Sequence, residues 1–151
     1  MSRKPGPDPH RHPHLLAGVH VVSNRISRAF AAEVTARHGV RLAEWRVLVS
    51  LVEEPGLTAN AITRRWGLEK MAVNRAVRRL QQQGCLAIAP DPSDRRRLTL
   101  TLTAKGRRLF ETVEPDATRR YREILALLDA DERRALGRIL AKLTAGTEGA
   151  E

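Results

Sequence analysis

The chain carries little aromatic or sulfur chemistry. Its 151 residues include one cysteine, Cys85, and five aromatics: Phe30, Trp45, Trp66, Phe110 and Tyr121. A lone cysteine excludes an internal disulfide framework and any zinc site built from several thiolates. There is no long apolar run either. The longest stretch without Asp, Glu, Lys or Arg runs from His12 to Asn24, 13 residues including three histidines, whereas a membrane-spanning helix needs about 20 apolar residues. No Gly-rich phosphate loop, metal-ligand spacing or nucleophile motif occurs, so nothing points to an enzyme, a cofactor or a bound metal. The N-terminal residues are polar and rich in proline and histidine, without the apolar core of a signal peptide, and the chain reads as cytoplasmic, with no membrane partner.

What is abundant is positive charge. Lys and Arg total 27 against 17 Asp and Glu, a net charge of +10. The excess is concentrated. Residues 64–108 hold 12 basic and 3 acidic side chains, whereas residues 109–151 hold 7 basic and 9 acidic. A solvated surface would spread its charge. A block this dense reads as a footprint for phosphates, hence for nucleic acid.

The length suits one domain with extra helices attached, and at 42% hydrophobic and 29% charged residues the chain should fold. Residues 1–13 contain four prolines and no apolar periodicity, and read as a mobile tail. His10, His12 and His14 alternate, but with no acidic or cysteine partner nearby they are taken as tail rather than as a metal clip. Over residues 14–38, Leu15, Val19, Val22, Ile26, Phe30 and Val34 recur at helical spacing, and Gly39 is placed as the stop. So long a helix in so small a chain packs along another subunit or another long helix. A second helix carries Leu42, Trp45, Val47, Leu48 and Leu51 and ends at Glu53-Glu54-Pro55-Gly56.

Thr58 then caps a short helix over Ala59–Trp66, Gly67 turns the chain, and a further helix covers Glu69–Gln83. The period changes next. Leu86 and Ile88, then Leu98, Leu100 and Leu102 with threonines between them, read as two strands joined by a long basic loop, residues 90–97. Helix resumes after Thr103 as N-cap, with Pro115 expected to kink or break it. Asp129 and Glu132 are spaced as a capping box opening a last helix with Leu136, Ile139, Leu140 and Leu143. The fold class is therefore mainly α with a small β-hairpin wing: a winged helix-turn-helix over residues 39–103, with dimerisation helices over 14–38 and 104–145.

The helix over 69–83 has two faces. Val73, Val77 and Leu80 must meet the core. Met71, Asn74, Arg75 and Arg78 share another face, one that suits a major groove: arginine donates two bonds to guanine, asparagine pairs with adenine, and an apolar side chain meets a thymine methyl. Lys70 and Arg79 flank this face and suit phosphates. Arg95, Arg96 and Arg97 crowd the wing tip, where the negative potential of a minor groove would offset their repulsion.

With the run from Leu57 to Gly84, "APDPSDRRRLTLTLTAKG" over Ala89–Gly106 and "LAEWRVLVSL" over Leu42–Leu51, the chain resembles the MarR family of bacterial transcription regulators across roughly residues 15–143. The wing, Asp91 to Arg97, is the most specific piece. The resemblance implies a triangular homodimer with intertwined terminal helices, double-stranded DNA as partner on a pseudo-palindromic operator, and repression relieved by a small lipophilic or phenolic effector. It also implies that helix 69–83 is the recognition helix, that Arg96 probes the minor groove, that Asp94 supports it by a charge-assisted bond, and that a ligand cleft lies near Trp45 and His20. The chain departs from the family pattern at Met71 and Ala72, where Ser and Thr are frequent, and at Arg41, where a Ser or Thr cap is usual and whose presence should loosen the next helix start.

Two other readings compete. Cys85, at the start of the wing, could make the protein an oxidant-responsive switch, although its position favours packing as a small hydrophobe. An RNA or single-strand binder would stack bases on aromatics, and no aromatic lies in the basic strands. Trp66, at a helix end, is expected in the core or at a domain seam.

Overall fold

The computed structural model describes residues 12–147. The tail expected over 1–13 lies outside them except for its last two residues, which already belong to the first helix; the side chains of His10, His12 and His14 are likewise outside the described set.

Helix α1, His12–Phe30, passes without a break into a π-helical stretch, Ala31–Thr35, and then into α2, Ala36–His38. A π turn holds one extra residue per turn, so it shifts the phase of the apolar stripe where the rod begins to be buried. Phe30 and Val34 are buried, whereas Leu15, Leu16, Val19, Val21 and Val22 are exposed. Gly39 stops the rod in the left-handed conformation, φ 69°, and its N–H bonds the Thr35 carbonyl at 2.9 Å.

Helix α3, Leu42–Glu53, supplies most of the core: Trp45, Val47, Leu48 and Leu51 are buried on its inner face. Its start is not loose. The Arg41 N–H donates to Glu44 Oε2 at 3.0 Å. An arginine side chain has no acceptor, so only the glutamate half of a reciprocal cap operates, and that half closes the first turn.

Helices α4, Ala59–Trp66, and α5, Lys70–Gln82, form the helix-turn-helix, followed by antiparallel strands β1, Leu86–Pro90, and β2, Leu98–Leu102, in the register Leu86 to Leu102 and Pro90 to Leu98. Helices α6, Ala104–Leu125, and α7, Ala130–Thr147, complete the described chain. Pro115 lies inside α6 and neither ends nor splits it. Proline removes one N–H bond, a local loss that a 22-residue helix absorbs. The Asp129 and Glu132 box forms as spaced: the Asp129 N–H donates to Glu132 Oε2 at 2.8 Å and the Glu132 N–H to Asp129 Oδ1 at 2.9 Å. The chain divides into two compact units after Pro115, so α6 begins in one and ends in the other. In the second unit α7 buries none of its residues, and Ile139, Leu140 and Leu143 are exposed. Among the described residues no helix is long and apolar enough to cross a membrane.

Candidate nucleic-acid interface

Helix α4 starts where Thr58 accepts the Ala61 N–H at 3.2 Å, and ends at Gly67 in the left-handed conformation, φ 57°. That reversal delivers α5 onto α3. Val73, Ala76, Val77 and Leu80 are buried beneath it. Burying that face leaves the opposite one outward: Met71 is 56% exposed, Arg75 and Arg78 are exposed, Asn74 is half-buried, and Lys70 is exposed at the helix start.

Arg79 behaves differently from its expected place beside the phosphates. Its Nε lies 3.2 Å from Glu44 Oε1, and Glu44 is only 2% exposed. The guanidinium is engaged inward, across the seam between α3 and α5. Spacing along α5 put Arg79 at the edge of the outer face; the buried carboxylate drew it in. Glu44 was legible as a capping residue but not as this ion pair.

The wing tip is built by two aspartates. Asp91 Oδ1 accepts both the Ser93 N–H at 2.8 Å and the Ser93 hydroxyl at 2.7 Å. Those bonds, hydroxyl first, hold the Asp91 carboxyl below the ordinary carboxylate range, with Arg97 adding to the shift. The Asp91 N–H closes the loop on the Arg97 carbonyl at 2.8 Å. Asp94 Oδ1 accepts the Arg96 N–H at 3.1 Å, while the Asp94 carbonyl accepts the Arg97 N–H at 2.9 Å. Asp94 thus holds Arg96 by a charge-assisted bond to its backbone N–H, the bond an aspartate makes readily to the N–H two residues on. Arg95, Arg96 and Arg97 are all exposed.

Arg96, Arg97 and Leu98 together line a cleft of about 520 Å³ whose other wall is Thr58, Ala59, Asn60 and Arg64 of α4. Sequence reasoning missed Asn60 and Arg64, because only the packed fold brings α4 opposite the wing.

The wing root is locked to the end of α5. The Thr103 hydroxyl donates to the Gly84 carbonyl at 2.7 Å and accepts the Gly106 N–H at 3.1 Å, and Lys105 Nζ donates to the Gln83 carbonyl at 2.7 Å. A Cβ at Gly106 would lie 1.9 Å from the Cys85 carbonyl oxygen, so the position admits only glycine. Cys85 itself is 2% exposed. A thiol so enclosed behaves as a small hydrophobe, which does not favour an oxidant switch.

Trp45, expected at a ligand cleft, is 3% exposed and stacked on Phe110, ring centroids 5.1 Å apart and planes 6° apart, with Phe30 at 6.5 Å. It is closed behind two aromatic rings, whereas His20 is exposed on α1. Trp66, expected in the core or at a domain seam, is 39% exposed and so not a core residue, its indole N–H donating to the buried Ser50 hydroxyl at 2.9 Å and Arg46 lying over the ring. The polar edge of an indole needs a partner when packed, and Ser50, buried on α3, supplies it. Among the described residues no group of His, Cys, Asp and Glu could hold a metal.

Comparison with known proteins agrees with this arrangement. The sequence profile of the MarR family matches residues 38–97. The chain is 32% identical over 122 residues to the HTH-type transcriptional repressor Rv2887 of Mycobacterium tuberculosis, covering 79% of this chain and 88% of that one. Among solved structures it is similar to the PcaV transcriptional regulator of Streptomyces coelicolor in complex with its natural ligand, with a TM-score of 0.75 at 27% identity, covering 94% of this chain and 98% of that one. It is also similar to Bordetella bronchiseptica BpsR, whose DNA binding is regulated by 6-hydroxynicotinic acid, with a TM-score of 0.74 at 25% identity, covering 89% and 99% of the two chains.

Proposed function

The chain belongs to the MarR family and is a DNA-binding transcriptional regulator, and from that premise we propose that it represses transcription as a homodimer on a pseudo-palindromic operator. The observation that carries this reading is the outward face of α5. Met71, Asn74, Arg75 and Arg78 stand opposite a fully buried face, with Lys70 at the helix start and the arginine wing beside them. Arg75 and Asn74 read base edges, Met71 meets a thymine methyl, Lys70 and Arg78 hold phosphates or guanine, and Arg96 with Arg95 enters the minor groove. Arg79 acts from behind, by fixing α5 on α3. The unit that reads DNA is the winged helix-turn-helix of residues 39–103, and no enzymatic role is assigned.

The homodimer rests on the exposed apolar side chains of the terminal helices, Leu15, Leu16, Val19 and Val22 on α1 and Ile139, Leu140 and Leu143 on α7. Exposed stripes of this kind are covered by another subunit in a stable protein. Relief of repression by a small lipophilic or phenolic effector is supported by PcaV, which is known in complex with its natural ligand, and by BpsR, whose DNA binding 6-hydroxynicotinic acid regulates. In this chain such a ligand would meet the exposed His20 side of α1, and would reach Trp45 only by displacing Phe30 or Phe110.

The test is selection of duplexes from a random pool by the full-length chain. Enrichment of an inverted repeat with half-site centres about one helical turn apart is expected. Enrichment of no sequence, or tighter binding to single strands than to the enriched duplex, would overturn the reading.

A further inference from the structure

The cleft between α4 and the wing is not accounted for by groove reading, since half of its lining belongs to the first helix of the helix-turn-helix. Its walls are fixed to each other. The Gly56 N–H donates to the Leu100 carbonyl and the Leu100 N–H to the Leu57 carbonyl, both at 2.9 Å, so the segment leading into α4 runs as a further short ladder along β2. Thr58 at the α4 start and Leu98 at the wing base cannot drift apart without breaking that ladder.

The chemistry of the lining is one-sided. Arg64, Arg96 and Arg97 converge on it and no acidic side chain lines it. The contrast with the next residue is informative: Arg65 is paired with Glu53 and Glu54, whereas among the described residues Arg64 has no acidic partner within 4 Å. Asn60 and Arg64, four apart, share one face of α4. At the head of that helix the N–H groups of Ala59 and Asn60 have no acceptor within the helix, and the Thr58 hydroxyl, accepting from Ala61, keeps its own proton to donate. Three guanidinium groups, two free N–H groups and a hydroxyl around one space make a set rich in donors and free of acidic side chains.

We propose that this cleft receives a phosphodiester group of the DNA backbone, held by Arg64 and Arg97 together with the head of α4. The proposal rests on the DNA-binding reading above and adds to it a sequence-independent contact, reassigning Arg97 from groove to backbone. The cleft is a surface groove rather than an enclosed cavity. A free anion there would stay in competition with water and salt, whereas a duplex brings a phosphate in fixed register with α5 and the wing on either side and gains from counterion release. The first helix of a helix-turn-helix crosses the backbone beside the groove its partner enters, which is where this cleft lies.

The experiment uses the full chain and a duplex enriched by the wild-type chain from a random pool. Arg64→Gln is expected to bind about tenfold more weakly, equally for the enriched duplex and for a shuffled one. Its log–log salt slope should fall by about one for each protomer bound, with an unchanged thermal midpoint, and Arg64→Lys should restore part of the loss. Neutral methylphosphonates placed one at a time should reveal a position in each half-site that weakens the wild type but not Arg64→Gln. An Arg64→Gln chain with wild-type salt slope, or one penalised at every phosphate as the wild type is, would overturn the proposal while leaving the regulator reading intact. Failure of the wild type to enrich any duplex would overturn both. Inorganic phosphate titrated into the wild type should not shift the Asn60 and Arg64 amide resonances saturably; saturation there, with duplex affinity indifferent to Arg64→Gln, would assign the cleft to a free anion and overturn the proposal.

Discussion

Glu44 and Arg79 form an ion pair across the seam between α3 and the recognition helix, Oε1 to Nε at 3.2 Å, with the other carboxylate oxygen closing the first turn of α3 on the Arg41 N–H. One buried carboxylate thus fixes both the start of α3 and the roll of α5 upon it. Roll matters because about 100° of helix rotation moves the outward face by one residue.

Glu44→Gln should keep the cap and lose the charge, leaving Arg79 without its counter-ion. The half-exposed guanidinium can turn to water, so the cost should fall below that of a fully buried pair, about 1–2 kcal/mol rather than about 3–5. Urea midpoints would measure it. Arg79→Ala should likewise lower stability, and weaken the enriched duplex without lowering the salt slope. A slope reduced by about one per protomer would instead place Arg79 on a phosphate.

Arg75→Ala should cost about 1–3 kcal/mol on the enriched duplex and relax the preference at one position in each half-site. Lys70→Ala should weaken all duplexes alike and flatten the salt dependence. Equal losses on enriched and random duplexes for Arg75→Ala would remove it from the base-reading set.

At the wing, Asp94→Ala removes the acceptor for the Arg96 N–H and should weaken DNA binding, although deleting a negative charge near phosphates favours binding on Coulomb grounds. Asp94→Asn keeps an acceptor at the same place and should bind at least as tightly as the wild type. Fluorescence anisotropy with a duplex whose half-sites are flanked by A·T pairs would compare the two. Tighter binding by Asp94→Ala would show that the turn does not matter. Arg96→Ala should lose most on that duplex and little when the flanks are G·C.

Ile139→Glu together with Leu140→Glu should give a monomer by light scattering at micromolar concentration and abolish high-affinity binding to the inverted repeat, with every residue of α4, α5 and the wing left in place. A charge buried in an apolar interface has no partner, and the association cannot bear it. A chain that stays dimeric with both substitutions would place the interface elsewhere.

Much of the fold was legible because it is written in short-range physics. Thr58, Thr103 and the Asp129 and Glu132 box cap their helices as their spacing implies, since a cap bond spans three residues and needs nothing beyond them. The leucine and threonine alternation placed β2, and the period of Val73, Val77 and Leu80 set the buried side of α5 and so, by exclusion, its outward side. Where a neighbour in space overrides the local pattern, the reading changed. Trp66 is drawn to Ser50 of α3, and Arg79 turns to Glu44.

The division follows from range. Composition and periodicity by themselves determined that this is a basic, mainly helical chain with a winged reading head, because hydrophobic phase and capping act over a few residues. Which arginines are available to DNA was decided only by the tertiary structure. Arg64, Arg65, Arg79 and Arg97 are indistinguishable as charges along the chain. Packing sends Arg79 to Glu44 and Arg65 to Glu53 and Glu54, while Arg64 and Arg97 are left facing one cleft. A charge is committed by whatever lies within a few ångströms of it, and those neighbours come from elements that the sequence keeps far apart.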